Sequence, residues 1–310
     1  MSIDGTEAVD SPAVPAGVIR ATLLVMFSAC CFGSIATLVT VATNAGTRLI
    51  DVLAWRFLLA ALLLVAVSGG LGTLRPFGRR GLPLLVFAGG GQALIGFIGL
   101  SALRYVTAAT MIFLFYSYPA WVTLISAIQG KDPLTGRRLL ALGLSLAGIA
   151  LMVGVPGAGG VNVLGASLAL LSGFLYALYI PMIGHFGEGL PPAVTSTFAS
   201  AGAAVIFVAV AMAGGGLALR AAPVAWLAMA LLAVVCTVIA FMAFLRGLAV
   251  IGPVRTAIVS TIEPFWGALL ASVVLTQPLS PRTLGGGLLI AAAVIILNLP
   301  QRGVARVAAV

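Results

Sequence analysis

The sequence predicts an all-α polytopic membrane protein: ten transmembrane helices arranged as two inverted five-helix repeats, with both termini cytoplasmic. Three observations carry that expectation. The 310 residues are 62% hydrophobic and only 7% charged, with a mean hydropathy of +1.22, a composition suited to lipid rather than water. The apolar runs are continuous rather than alternating. Backbone polar groups must be satisfied within a span, so apolar runs of about 20 residues read as helices. The third observation is an internal repeat at an offset of 145 residues.

Charges and Gly/Pro clusters cut the chain into spans at roughly 18–42, 49–69, 82–103, 106–129, 137–155, 162–184, 192–214, 222–246, 253–275 and 282–299. The junction "GVPGAGGVN" at 154–162 carries no charge and is marked by glycine and proline alone. The first repeat is therefore placed at 18–155 and the second at 156–300, between a disordered cytoplasmic tail at 1–17 and a cytoplasmic tail at 301–310. With the N-terminus inside, the cytoplasmic side holds Arg20, Arg75, Arg79, Arg80, Lys131, Arg137, Arg138, Arg246, Arg255, Arg302 and Arg306. The outside holds only Arg48, Arg104, Arg220 and Arg282, an asymmetry that favours both termini inside. Arg56 is left within the second span.

The repeat overlays "ALRYVTAATMIFLFYSYPAWVTLISAIQGKDPLTGRRL", from Ala102, on "GLAVIGPVRTAIVSTIEPFWGALLASVVLTQPLSPRTL", from Gly247, without a gap. Pro119 falls on Pro264, Trp121 on Trp266 and Tyr118 on Glu263. Five spans per half is an odd number, so the second repeat inserts upside down. That plan places a substrate near the bilayer midplane between the repeats and alternates access by rocking one half against the other.

Glu263 stands out chemically. Thr256, Ser260, Glu263 and Gly267 share one helical face. Counted from Pro253, Glu263 lies about 15 Å into the span, near mid-depth. Pro264 removes a backbone donor, freeing a carbonyl around Ser260 and loosening the helix there, as a gate would. A carboxyl at that depth is a functional hypothesis by default and a candidate proton carrier. The competing reading is structural, a pair with Arg56 or a cap on hydroxyls between helices. Arg56 has five donors and no acceptor, so it needs a carboxylate, carbonyls or water; Glu263 is the only comparably deep acid.

In the fourth span Tyr118 and Trp121 share a face beside Pro119, mirroring Glu263 and Trp266. Such rings suit an aromatic or cationic substrate; an interfacial belt fits less well in mid-span. The sixth span sets Ser172, Tyr176 and Tyr179 on one face, and the third sets Gln92, Gly96 and Gly99 likewise, where Gln92 serves as ligand or as helix-packing glue. Ser34 and Thr37 in the first span are weaker candidates, since either can bond back to its own helix. The glycine clusters at 89–91 and 285–287 follow no strand and read as packing surfaces.

Several classes are excluded. Basic residues are scattered in short loops despite a net charge of +9, so no nucleic-acid partner is expected. Cys30, Cys31 and Cys236 show no disulfide or metal spacing. "FSACC" is not followed by polar sequence, so cleavage there is not expected. One histidine, His185, no paired carboxylates and no nucleophile with a visible base argue against an enzyme. No metal or other cofactor is called for. The expected partners are the bilayer, a small-molecule substrate and protons, with the chain acting as a monomer. A passive channel is the rival of another class; a kinked, asymmetric midplane site favours alternating access instead.

The stretches "CCFGSIATLV", "AWRFLLAALLL", "ALRYVTAATMIFLFYSYPAW" and "IEPFWGALL", with a "PLT" or "PLS" turn closing each half, resemble the EamA branch of the drug/metabolite transporter superfamily from about residue 20 to 300. The resemblance implies a 5+5 inverted fold, a cavity lined largely by spans 1, 3, 4, 6, 8 and 9, and export of small metabolites, amino acids or drugs. The second span is peripheral in that family. The chain departs from the pattern at Thr276 and Gln277, where many relatives have Gly-Glu, and at Phe32, where tryptophan is frequent. A role carried by that acid therefore does not transfer. With Arg56 as the only deep cation, phosphorylated substrates are disfavoured. The expectation is an amino acid exporter of the cell membrane, in a bacterium the inner one; the second choice is a proton-coupled exporter of cationic drugs or quaternary amines acting through Glu263.

Overall fold

The structure, a computed structural model, describes residues 16–129, 135–153 and 161–298. Every regular element among them is helical. The first span is α1 (Ala16–Gly33) and α2 (Ile35–Asn44), broken at Ser34; α3 (Leu49–Val67) follows. Then α4 (Leu71–Leu74), a 3₁₀ turn, α5 (Gly78–Pro83), a π-helical segment at Leu84–Ala88 and α6 (Gly89–Ser101) run on nearly end to end. The fourth span is α7 (Ala108–Phe115) and α8 (Tyr118–Ile128), and α9 (Gly136–Val153) ends the half. The second half contains α10 (Val163–Phe186), α11 (Pro192–Ala213), α12 (Pro223–Ala233), a π segment at Val234–Ile239, α13 (Ala240–Ser260), α14 (Ile262–Leu275) and α15 (Pro281–Asn298).

Six stretches of the described chain are long and apolar enough to cross a membrane: Gly17–Asn44, Leu49–Val67, Leu71–Arg104, Val163–Ile183, Ala193–Ala213 and Pro223–Ile251. Shorter apolar helices occupy Ala108–Val122, Ile262–Leu275 and Pro281–Ile296. Their starts follow from side-chain chemistry. Asn162 accepts from the Gly165 amide at 3.1 Å and Thr107 from the Thr110 amide at 3.2 Å, each satisfying one of the amides a helix start leaves orphaned. Proline sits in the first turn of α8, α11 and α12, where its missing N–H costs nothing.

Helices in lipid associate through close backbone approach at small residues. A side-chain carbon added at Gly89 would meet the backbone of Gly202, and one at Gly267 the carbonyl of Gly33. These contacts press α6 onto α11 and α14 onto the break in the first span. Between them lies a core in which Leu53, Phe57, Phe113, Leu114 and Met229 are fully buried and Phe57 stacks on Phe207 at 5.6 Å.

At one end of the bundle a polar clasp joins the halves. The buried Asp51 carboxylate accepts from Arg48 Nε at 2.6 Å, Arg48 Nη2 at 3.0 Å and the Ala218 amide at 3.2 Å. Arg48 also donates to the carbonyls of Gly214 and Gly216, and Trp55 Nε1 to that of Ala218. The loop between α11 and α12 is thus held by side chains of the first repeat. Hydrogen bonding to Asp51, and then its charge, hold the Arg48 guanidinium above its ordinary value.

Four expectations need correcting. The helix of the first span begins at Ala16, inside the tail expected at 1–17; residues 1–15, like 301–310, lie outside the described residues. The third span starts at Leu71 rather than 82, because Arg75 to Arg80 sit in a helical turn rather than a loop. The first span, expected at 18–42, runs over Gly17–Asn44 and is interrupted at Ser34. No loop separates the eighth and ninth spans: the boundary expected between 246 and 253 lies within α13. Its contacts nevertheless double back. Val235 and Cys236 share a cavity wall with Cys31 and Ser34, Gly247 abuts Ala21 and Val25, and Glu263 is again level with Gly33. The chain therefore descends along α1 and climbs it again, reversing direction between Gly247 and Glu263. Most of the junction at 154–162, and the "DPL" turn at 132–134, lie outside the described residues.

Candidate functional site

Three helix breaks meet around Glu263. One is Ser34. The second is Tyr116–Ser117, between α7 and α8, and the third is Thr261, between α13 and α14. The last two fall two to three residues before Pro119 and Pro264, at equivalent places in the repeat. Ser117 and Thr261 have nearly the same backbone, φ −69 and ψ −10 against φ −64 and ψ −10. The cause is shared: a proline cannot donate to the carbonyl four residues before it, and the helix opens there.

Each break is closed by a side chain. Trp121 Nε1 donates to Ser117 Oγ at 3.2 Å, and Ser117 Oγ to the Leu114 carbonyl at 2.7 Å. Trp266 Nε1 donates to Ser34 Oγ at 3.0 Å, and Ser34 Oγ to the Cys30 carbonyl at 2.8 Å. The repeat thus gives its two tryptophans the same task, a serine hydroxyl at a helix break. The third break is served by Tyr116, whose hydroxyl lies 2.9 Å from the Ser260 carbonyl oxygen and 2.7 Å from Glu263 Oε2. The carbonyl of Ser260 is thus engaged rather than its side chain, in keeping with Pro264 four residues on.

Tyr118, the symmetry partner of Glu263, does not hold it. Its ring stands edge-on to Tyr176 at 5.0 Å and to Tyr116 at 5.7 Å, and Tyr176 stacks on Tyr179 at 6.0 Å. Four tyrosines therefore run in a line from Glu263 along α8 and α10. Tyr116 stands in the sequence cluster Tyr116, Ser117, Tyr118 and Trp121 around Pro119, but the pattern put the substrate role on Tyr118 and Trp121 and not on Tyr116. The signal for it was the position itself: in the break, three residues before the proline, a side chain can cover the opposite helix's orphan carbonyl, and a long side chain with a donor does so.

Arg56 does not pair with Glu263. Buried on α3, it donates from Nε to Thr237 Oγ1 at 3.2 Å and lies 5.0 Å from the Phe57 ring centre. Thr237 sits in the second π segment and turns its own hydroxyl to the Leu232 carbonyl at 2.7 Å. The arginine is taken up by a second-repeat hydroxyl instead of an acid. Gln92, on α6, has a buried Oε1 with no hydrogen-bond partner among the described residues. Its neighbour Gly91 packs against Tyr179, so α6 and the line of tyrosines adjoin. Gln277 has a role that its place in the sequence does not announce: its Oε1 accepts from the Ala108 amide at 3.0 Å and caps α7 across the repeats.

A cavity of about 510 Å³ adjoins the breaks, lined by Phe27, Cys30, Cys31, Ser34, Leu38, Leu231, Val235, Cys236, Trp266 and Leu270. Its walls are almost wholly apolar, with the Ser34 and Trp266 pair as its polar edge. All three cysteines of the chain line it.

The EamA-like transporter family profile matches residues 19–154 and again 163–299. The chain belongs to the EamA-like transporter family. It is therefore a multi-pass membrane protein of a transporter family, and the internal repeat is two copies of one family unit. A crystal structure of a protein 20% identical to this EamA chain superposes with a TM-score of 0.61 over 89% of this chain and 96% of the other; at that identity the likeness speaks to the fold alone. Comparison with curated proteins finds no match.

Proposed function

We propose that this chain exports small amphipathic metabolites, amino acids foremost, from the cytoplasm across the cell membrane, by alternating access around a midplane site centred on Glu263. In this reading there are ten spans in two inverted sets of five, both termini are cytoplasmic, the working unit is a monomer, and in a bacterium the membrane is the inner one. One observation carries it: helix breaks from the two repeats meet at a hydrogen-bonded carboxyl and phenol, Glu263 and Tyr116, 2.7 Å apart. A bundle built only for stability gains nothing from broken helices that share a half-buried carboxyl, whereas two halves that rock need hinge points at the substrate. Around that carboxyl Tyr118, Trp121, Tyr176, Tyr179, Trp266, Ser34, Ser260 and Gln92 supply rings and a few polar groups, with Pro119 and Pro264 as hinges and Arg56 bracing the second span.

Counterflow in proteoliposomes tests it. Vesicles preloaded with unlabelled amino acid should take up labelled amino acid faster than empty ones. Equal uptake would identify a channel instead. Acceleration only by quaternary amines would favour the drug-cation reading, which the line of tyrosines beside a lone carboxyl supports.

A further inference from the structure

The hydroxyl of Tyr116 faces more acceptors than it can serve. Glu263 Oε2 and the Ser260 carbonyl oxygen both lie within hydrogen-bond distance, and a phenol has one proton. The residue four places on from Ser260 is Pro264, without an N–H to donate to that carbonyl. With Glu263 protonated the geometry closes: the carboxyl O–H donates to Tyr116 Oη, and the phenol O–H donates to the Ser260 carbonyl. With Glu263 ionised, its proton having left to water, the phenol O–H turns to the carboxylate, the stronger acceptor. The Ser260 carbonyl is then left open.

We propose that Glu263, Tyr116 and the Ser260 carbonyl form one site that holds either a proton or a primary ammonium group, with Tyr116 as the positioning residue that turns its single O–H between the two acceptors. An ammonium brings a charge for the carboxylate and spare N–H donors for the open carbonyl. A quaternary ammonium brings the charge and no N–H, so it leaves the carbonyl unserved and binds about tenfold more weakly. Room for the rest of the ligand adjoins the site, because Trp266, one helical turn beyond Glu263, lines the 510 Å³ apolar cavity with Cys30 and Ser34. Among the described residues the titratable groups within electrostatic reach of Glu263 are Tyr116, Tyr118, Tyr176 on α10 and Cys30 on α1. None of them is cationic, and α2 and α7, which also pack on α14, carry no titratable side chain. No cation among the described neighbours replaces the proton's charge, and a ligand ammonium can.

This rests on the reading of Glu263 as the substrate site, but its test does not need transport. Infrared difference spectra of the purified protein are recorded through a pH titration, and then at a pH where Glu263 is protonated with added benzylamine or benzyltrimethylammonium. A protonated-carboxyl band absent from Glu263→Gln should change over the same pH interval as a tyrosine band absent from Tyr116→Phe. Pro264→Ala, which gives the Ser260 carbonyl its own amide, should keep the carboxyl titration and lose the accompanying tyrosine change. Benzylamine should discharge the carboxyl band at about one tenth the concentration that benzyltrimethylammonium requires. A carboxyl band that does not titrate, a tyrosine band that ignores it, or equal potency of the two amines overturns the proposal. If the spectra respond as expected while counterflow is absent, the site stands and the transport reading falls. If counterflow occurs while the spectra stay unresponsive, transport stands and the ammonium site falls.

Discussion

Two carboxylates are drawn into this molecule, and they are treated in opposite ways. Asp51 is fully buried and saturated: an arginine in fork geometry and a backbone amide satisfy its two oxygens, and nothing is left to exchange. Glu263, half-buried, has among the described residues a single phenol on one oxygen, and that phenol is shared with a carbonyl. The chain could have placed Arg56 against Glu263 and turned it to Thr237 instead. A carboxylate with a full set of donors holds structure; one with half a set remains free to bind. The difference separates the clasp from the site proposed at Glu263.

The widest separation should come from Glu263→Gln. The amide keeps an acceptor for Tyr116 and nearly the same shape, so thermal stability in detergent should move by less than about 0.5 kcal/mol. Counterflow should fall by about a hundredfold or more, equivalent to about 2.7 kcal/mol. Normal transport, with unchanged response to a pH gradient, would return Glu263 to the structural class of Asp51. Next in size is Asp51→Ala, which should do the reverse. The Ala218 amide loses its acceptor, at about 1–3 kcal/mol, and the loop Gly214–Ala218 loses its anchor, so the unfolding temperature drops while substrate selectivity among the surviving molecules is unchanged. Smaller again is Trp55→Phe, which removes the indole donor to Ala218 but retains a ring against Trp226, now 5.0 Å away. A loss of about 1 kcal/mol in the same unfolding assay is expected, with counterflow intact.

How much of this could be read from the sequence differs between the two places. Apolar length and the 145-residue repeat were enough for an all-helical chain of two family units and for the two proline-linked breaks, because those depend on local chemistry: hydropathy and a missing N–H. Glu263 was legible because a charge in an apolar run is costly wherever the run packs. Its partner was not. Symmetry pairs Glu263 with Tyr118, yet residues related by a pseudo-twofold axis touch each other only on that axis. Away from it a residue meets a neighbour of its equivalent, and here that neighbour is Tyr116. The clasp was invisible for another reason. Arg48 and Asp51 lie three residues apart at a helix start and read as a surface pair, but their other partners, Gly214, Gly216 and Ala218, are more than 160 residues away and contribute backbone, which has no sequence signature. The boundary expected between 246 and 253 is not marked by a loop in α13, but the contacts on either side of it reverse along α1, so the arginine, glycine and proline there do mark where the chain turns.

The smallest effect expected comes from making a third carboxylate. Gln277 stands where many relatives are expected to have glutamate, and its amide oxygen already accepts from the Ala108 amide at the start of α7. In Gln277→Glu a charged acceptor would replace a neutral one at a helix N-terminus, whose exposed amides and dipole favour negative charge by about 0.3–1 kcal/mol. The residue is half-buried, so the desolvation that opposes this gain is partial. If saturation by donors is what makes a carboxylate structural, Glu at 277 should behave as Asp51 does: a rise in unfolding temperature at neutral pH that disappears as the new carboxyl is protonated, and counterflow unaltered. A change in the pH dependence of transport instead would mean that a carboxylate bonded to a helix start can still exchange protons with the pathway, and the division drawn between Asp51 and Glu263 would then not follow the number of donors.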